Sequence, residues 1–403
     1  MDFLSKYLSD ENRKKIVNYL FYAALTIELV LMIVEKSEIV FSYESYVYRV
    51  TFLLTFLAVL VMKHDKKEWI AIILVLAFTF FCYRHSGKND LLRLSVFLMA
   101  ARDIDLNKAM KYCFYVTVTG FVMIFLMAVF GILGDIALVG DFGRQNPYEK
   151  RYVFGFGHPN TLFGCFYAVL LMWVWIYGKT AKWWAYAVTI GLTAVIVYLT
   201  RSRTGAVICV LTLFLAILAR IFKGLGKVKI LYVLGCVFAP ITCIGLTIAA
   251  AWAASKQYID NDLDPYFWTI EGKIGYRISN LYYGAEDRGG VLYRWKLFAG
   301  HGSDSYFDMG WARLFYWYGI IPTVLITLCI FIVVYVSCKK RDLWTLILVV
   351  SLSIYTLAEA TYVTPYFGRD FFLLIGGVYL GEFFSGIFHK KDKDKGELNV
   401  REA

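Results

Sequence analysis

The sequence predicts an all-α polytopic membrane protein of about twelve transmembrane helices, with a large late outer loop. Three observations predict it. First, the 403-residue chain is 59% hydrophobic and 18% aromatic, with a mean hydropathy of +0.58. A soluble globule carries more charge and fewer aromatic residues. Second, apolar runs of about 17–25 residues recur along the whole length, and each can cross a hydrocarbon core of ~30 Å. Third, the links between the runs alternate in character, every second one being short and lysine-bearing, as expected of a chain that crosses a membrane repeatedly.

In chain order the expected spans are about 16–35, 47–62, 69–84, 90–101, 112–133, 161–177, 184–200, 205–222, 230–253, 311–337, 343–361 and 368–388. The segment 1–15 before the first is charged and polar, without a cleavage-site pattern. The fourth span is short and carries Arg93. Pro240 and Pro322 fall inside spans, where a kink is expected. No internal repeat is visible. Residues 1–389 read as a single integral membrane domain, and 390–403 as a charged tail. The eight cysteines lie in or beside apolar runs and form no Cys-x-x-Cys pair, so they read as small apolar fillers.

Basic links lie at 14–15, 63–67, 108–111, 179–182, 223–229, 339–341 and 390–395. The positive-inside rule places them, and both termini, in the cytoplasm of a multi-pass cell-membrane protein. On that assignment the inner side holds 19 lysines and 5 arginines, and the outer side 6 lysines and 12 arginines. Orientation needs only positive charge. Arginine adds a planar fork that binds phosphate or carboxylate oxygens through two hydrogen bonds, so the outer face reads as selected for anion recognition. The inner links are short and carry no glycine-rich phosphate loop, so a nucleotide is not expected there. Nucleic acid is not expected as a partner. Chemistry belongs in the two long outer segments, about 134–160 and 254–310. Aromatic residues in the second, among them Tyr266, Trp268, Tyr276 and Trp295, suit both stacking on sugar rings and anchoring at the interface.

Four groups of residues carry the candidate chemistry. Arg201 and Arg203 sit in Thr-Arg-Ser-Arg-Thr-Gly (200–205), between two apolar runs. Two guanidinium groups at a lipid boundary make sense where something anionic is held. With one residue between them they cannot follow one helix face, so one is expected to face an outer cavity and the other a neighbouring helix. Phe-Gly-His-Pro-Asn (156–160) puts His158 beside a helix start with Pro159 in its first turn, as a proton carrier, an anion ligand or a simple cap. In 298–311, Phe-Ala-Gly-His-Gly-Ser-Asp-Ser-Tyr-Phe-Asp-Met-Gly-Trp, His301 lies between glycines. There Asp304 and Asp308 can orient a histidine, accept a proton or cap the next helix. Arg277, Arg288 and Arg294, with Glu286 and Asp287, complete a charged set in the late loop. Asp260, Asp262 and Asp264 alternate, but lack the glycine and distal glutamate of a calcium loop and read as a solvated turn.

Taken together, Gly-His-Pro-Asn (157–160), Ser-Arg-Thr-Gly (202–205) and the run 300–321, with Asp-x-Gly-Trp and Tyr-Gly-Ile-Ile, resemble the Wzy-type polysaccharide polymerases of the O-antigen ligase and polymerase superfamily. The Gly-His-Pro-Asn form looks most like the exopolysaccharide and capsule polymerases of Gram-positive bacteria. The resemblance implies a metal-independent glycosyltransferase of the GT-C class, without cofactor, working at the outer leaflet on undecaprenyl-diphosphate-linked repeat units. It implies membrane lipid as surroundings, and a flippase and a chain-length regulator as partners. By motif match it gives diphosphate binding to Arg201 or Arg203, with Arg151, Arg277, Arg288 and Arg294 as further candidates. It gives a catalytic role to His301, with His158 as its rival and Asp304 and Asp308 as alternative bases. Two other readings stay open: a ligase of the same superfamily that moves a finished glycan to an envelope acceptor, and a twelve-helix transporter. The transporter draws on the ionisable Glu28, Glu359 and Glu382 within spans.

Overall fold

The computed structural model describes residues 9–142, 148–256, 269, 271, 272, 275–284, 288–303, 305–360, 362 and 369–401, with side chains of the last stretch over 371–387. Within these residues, nine helices are long and apolar enough to cross a membrane, the architecture of a helical polytopic membrane protein. They are α1 (Asp10–Glu35), α2 (Glu44–Val61), α3 (Lys66–Ser86), α5 (Leu106–Val129), α6 (Pro159–Tyr177), α7 (Trp183–Thr200), α8 (Arg203–Ile221), the continuous Lys229–Ser255, and α13 (Ile320–Lys340). Shorter apolar helices are α4 (Asp90–Ala100), α14 (Leu343–Tyr355) and the Phe371–Ile387 part of α15 (Arg369–Arg401). At 1.5 Å per residue, α4 covers only about half of a hydrocarbon core.

The helices form where apolar runs meet a start signal. Ser9, Asp65, Asp105, Ser202 and Asp342 each accept a backbone N–H as N-cap, and Asp65 with Glu68 forms a reciprocal capping box. Three departures from the expected spans matter for the site. The run 311–337 is not one helix. It divides at Gly319 (φ 100°, ψ 170°) into α12 (Gly310–Tyr318) and α13. A Cβ at Gly319 would lie 2.7 Å from Leu297 O and from Phe298 Cα, because the late outer segment packs into the break. There Ile320 N–H donates to Lys296 O at 2.9 Å and Ile321 N–H to Leu297 O at 3.1 Å. The run 343–361 stops as a helix at Tyr355, so Glu359 lies beyond the helix end. Finally, the first outer segment holds an antiparallel hairpin, β1 (Ala137–Gly140) and β2 (Glu149–Tyr152), with Leu138 opposite Arg151.

Pro322 falls in the first turn of α13, where its missing N–H costs nothing and no kink results. Pro240 sits in a π-helical turn, Val237–Ile241, that joins α9 (Lys229–Cys236) to α10 (Thr242–Ser255). Of the long helices α6 is the most enclosed, 56% of its apolar window being buried, and α7 the least at 17%. Packing therefore organises around α6. Phe163, Tyr167 and Leu171 meet the buried faces of α8 and α14. Tyr167 Oη and Thr212 Oγ1 are 2.8 Å apart, and Thr212 donates to Ser351 Oγ at 3.0 Å. Such interhelical bonds satisfy hydroxyls that lipid cannot.

Contacts sort the links into two sets. At one end Lys63 pairs with Asp10, Arg220 bonds Ala181 O, and Lys340 pairs with Glu382. At the other, Arg201 pairs with Glu149, Lys88 bonds Ser303 O, and Arg277 pairs with Glu359. These sets match the basic and the arginine-rich links respectively.

Candidate functional site

The arginine-rich end is built from four segments. The first is the hairpin. Glu149 and Arg151 are two residues apart in β2, so both side chains leave the same face, and both are buried. Arg151 Nη2 donates to Glu149 Oε2 at 2.9 Å, and its guanidinium lies 4.3 Å from the Phe142 ring centroid.

The second is the link between α7 and α8. Arg201 ends α7 in a left-handed conformation (φ 51°, ψ 29°). This turn aims its Nη1 at Glu149 Oε1, 3.7 Å away, while 53% of the side chain stays exposed. The hairpin is thus a partner of Arg201. Arg203 opens α8 and is exposed. Ser202 caps α8 by accepting Gly205 N–H at 3.2 Å. Gly205 has a packing reason: a Cβ there would sit 2.5 Å from the Phe163 ring. The Ser-Arg-Thr-Gly motif therefore seats the start of α8 against the start of α6.

The third segment carries His158, the N-cap of α6. Its Nδ1 accepts Asn160 N–H at 3.2 Å. An acceptor nitrogen has no proton, so the neutral ring carries its hydrogen on Nε2. Desolvation lowers the ring's pKa below the usual histidine value. Asp308 opposes that shift and Arg151 adds to it. His158 thus lies within the fields of both the hairpin and the late segment.

The fourth is the late outer segment. Fully buried Glu271 accepts Ile278 N–H at 3.0 Å and Ser279 N–H at 2.8 Å, ordering the start of α11 (Arg277–Tyr283). The first residue of that helix, Arg277, bonds Ala358 O and reaches two carboxylates, Glu359 Oε1 at 3.4 Å and Asp308 Oδ2 at 3.6 Å. Asp308 does not cap α12; the cap residue is Met309, which makes no side-chain cap bond. Gly310 explains the Asp-x-Gly-Trp motif. A Cβ there would lie 2.7 Å from Glu359 O, so only glycine lets Asp308 approach Glu359. Gly310 N–H also donates to Thr356 O at 2.9 Å, and Trp311 Nε1 to Ser353 O at 2.9 Å. Behind them Arg313 is fully buried, donates through Nε to Phe307 O at 2.9 Å, and lies 3.7 Å from the Tyr306 ring centroid. Its charge bears on Glu359, opposing the rise in that group's pKa.

Glu359 is 13% exposed. Burial raises its pKa to about 7, against the pull of Arg277 and with a push from Asp308.

The structure thus brings together Arg151, Arg201, His158, Arg277 and Asp308. It adds Glu149 and Glu359, which the sequence did not place in the site. Glu359 was visible only as an acid in an apolar run. Glu149 had no signal beyond the alternation of Glu-Lys-Arg-Tyr. His301 is exposed beside the link that follows α3, where a Cβ on Gly87 would lie 2.9 Å from its Nδ1. His85 Nδ1 bonds Ala299 O at 2.8 Å, and Lys88 bonds Ser303 O, so this segment is clamped to that link. Arg288 and Arg294 are exposed and lie over tyrosine rings, 4.3 Å from the centroid of Tyr282 and 5.8 Å from that of Tyr293. Asp304, Glu286, Asp287 and the Asp260, Asp262, Asp264 turn lie outside the described residues. Comparison with protein-family models, with curated proteins and with solved structures found no match.

Proposed function

We propose that the protein polymerises undecaprenyl-diphosphate-linked oligosaccharide repeat units into exopolysaccharide or capsule at the outer leaflet, as a GT-C-like membrane glycosyltransferase. The arginine-rich end then faces outward, both termini lie in the cytoplasm, and the spans number about twelve. A flippase supplies the units and a chain-length regulator acts alongside. The observation that carries this reading is convergence. Three motif segments distant in sequence, 157–160, 202–205 and 300–321, meet at one end of the bundle around unlike charges.

The chemistry follows from the two halves of that end. Arg151 and Arg201 both reach Glu149, Arg203 stands exposed two positions on, and Glu38 lies beside Gly157; the three guanidinium groups suit a diphosphate. As the anomeric carbon–oxygen bond breaks, charge grows on the phosphate oxygen, and guanidinium forks stabilise that state more than the ground state. His158, with Nε2–H free to donate, suits the same anion. Asp308 and Glu359 lie on either side of Arg277, with the buried Arg313 behind them, and these two carboxylates suit an acceptor hydroxyl.

The transporter reading loses ground on one observation: each acid that motivated it has a basic partner. Glu28 pairs with Arg93 at 3.3 Å, Glu359 with Arg277, and Glu382 with Lys340. The ligase reading shares the chemistry and differs in the acceptor. Incubation of purified protein with lipid-linked repeat units separates them. A ladder of lengths still on the lipid is expected. Transfer only of preformed glycan to another acceptor would indicate the ligase, and no transfer in either assay would overturn the glycosyltransferase.

A further inference from the structure

We propose that Glu359 is the general base that takes the proton from the acceptor sugar hydroxyl, with Arg277 holding it in place. The inference rests on the polymerase reading and gives the proton-accepting step to a residue outside the motifs. Four arrangements carry it. Glu359 lies beyond the end of α14, with 13% of its side chain exposed. Gly310 brings the segment of Asp308 against its backbone, so two carboxylates share the one guanidinium of Arg277. Asp308 thus favours proton uptake by Glu359, against the opposing charges of Arg277 and Arg313. Its histidine rival, His158, has its unprotonated nitrogen committed to Asn160 N–H and its hydrogen on Nε2. In that state it donates and cannot accept. His301 is exposed beside Gly87, on the link that follows α3.

The groups facing Glu359 are Arg277 from α11, Asp308 ahead of α12, Arg313 from α12 and Tyr355 from α14. Burial pushes its carboxyl up toward neutrality, which matches the proton affinity a base needs near pH 7. In the step, the acceptor O–H bond breaks and its proton passes to the Glu359 carboxylate. The oxygen's electron pair forms the new bond to the anomeric carbon. The carbon–oxygen bond to the diphosphate breaks, and its electrons leave on the phosphate oxygen. The proton returns to solvent afterwards.

The test is the pH dependence of polymer formation from lipid-linked repeat units by the full-length protein. A carboxylate base is active when ionised. The wild-type rate should therefore fall about tenfold per unit as pH drops below about 7. Glu359→Gln keeps a hydrogen bond to Arg277 but cannot take a proton, and should lose at least about 100-fold. Asp308→Asn removes the negative charge that raises Glu359, so it should move the acidic limb to lower pH. Should Glu359→Gln misfold, that displaced limb still decides the matter. A polymerising Glu359→Gln with the wild-type profile, or an Asp308→Asn limb that stays in place, would overturn the base while leaving the polymerase intact. A wild-type protein that forms no polymer would overturn both.

Discussion

Arg201 and Arg203 are one residue apart and stand in different surroundings. Arg201 turns back on the hairpin to Glu149, and Arg203 stays exposed at the first turn of α8. A cation in the first turn opposes the helix dipole unless an anion joins it. Lysine keeps the charge of either residue but not the planar fork. We predict that Arg201→Lys and Arg203→Lys each lower polymer formation about 100-fold, with membrane insertion unchanged. The lipid-linked ladder assay checks this, and near-normal ladders from both variants would contradict it. At this scale the sequence was legible where a residue type is out of place. Guanidinium groups at a lipid boundary, and a histidine before Pro159, could be seen without coordinates. Glu149 could not, because an acid in a polar segment is ordinary until Arg151 and Arg201 are found around it.

Helices were legible from their apolar runs, since hydropathy reports which stretches lipid can surround. Hydropathy is blind to what happens within a run. It did not reveal the break between α12 and α13, because Tyr-Gly-Ile-Ile is as apolar as its neighbours. The break depends on a φ of 100° and on the close approach of 297–299, both of them tertiary. The hairpin was missed because four-residue strands carry too little pattern. Gly319→Ala should cost about 1–3 kcal/mol through backbone strain, and more through the clash with Leu297 O. Its expected signature is a lower Tm in detergent together with faster proteolysis of the late outer segment. A Tm within 1 °C or so of wild type, where a loss of 1 kcal/mol shifts even a large domain by about 2–4 °C, would show that the break tolerates a side chain.

Across the whole molecule, the alternation of basic and arginine-rich links in the sequence reappears as two separate sets of contacts. Lysine-rich links gather at the end holding Asp10, Lys63 and Lys340. The arginines of 201–203, 277 and 151 gather at the other. That division was readable because membrane orientation is written in local charge. The meeting of these arginines with Glu149, Asp308 and Glu359 was not, since it joins residues up to 210 positions apart, from Glu149 to Glu359. The proposed polymerase needs its guanidinium-rich half on the extracytoplasmic side, where a lipid diphosphate would depart. Side-specific labelling in intact cells tests this most directly. Single cysteines would replace the exposed Thr204 and Gly224, in a chain whose half-buried Cys236, Cys329 and Cys338 are serine. An impermeant maleimide should label Thr204→Cys from outside, and Gly224→Cys only after the membrane is opened. Labelling in the reverse pattern would place Arg201 and Arg203 in the cytosol and contradict the account.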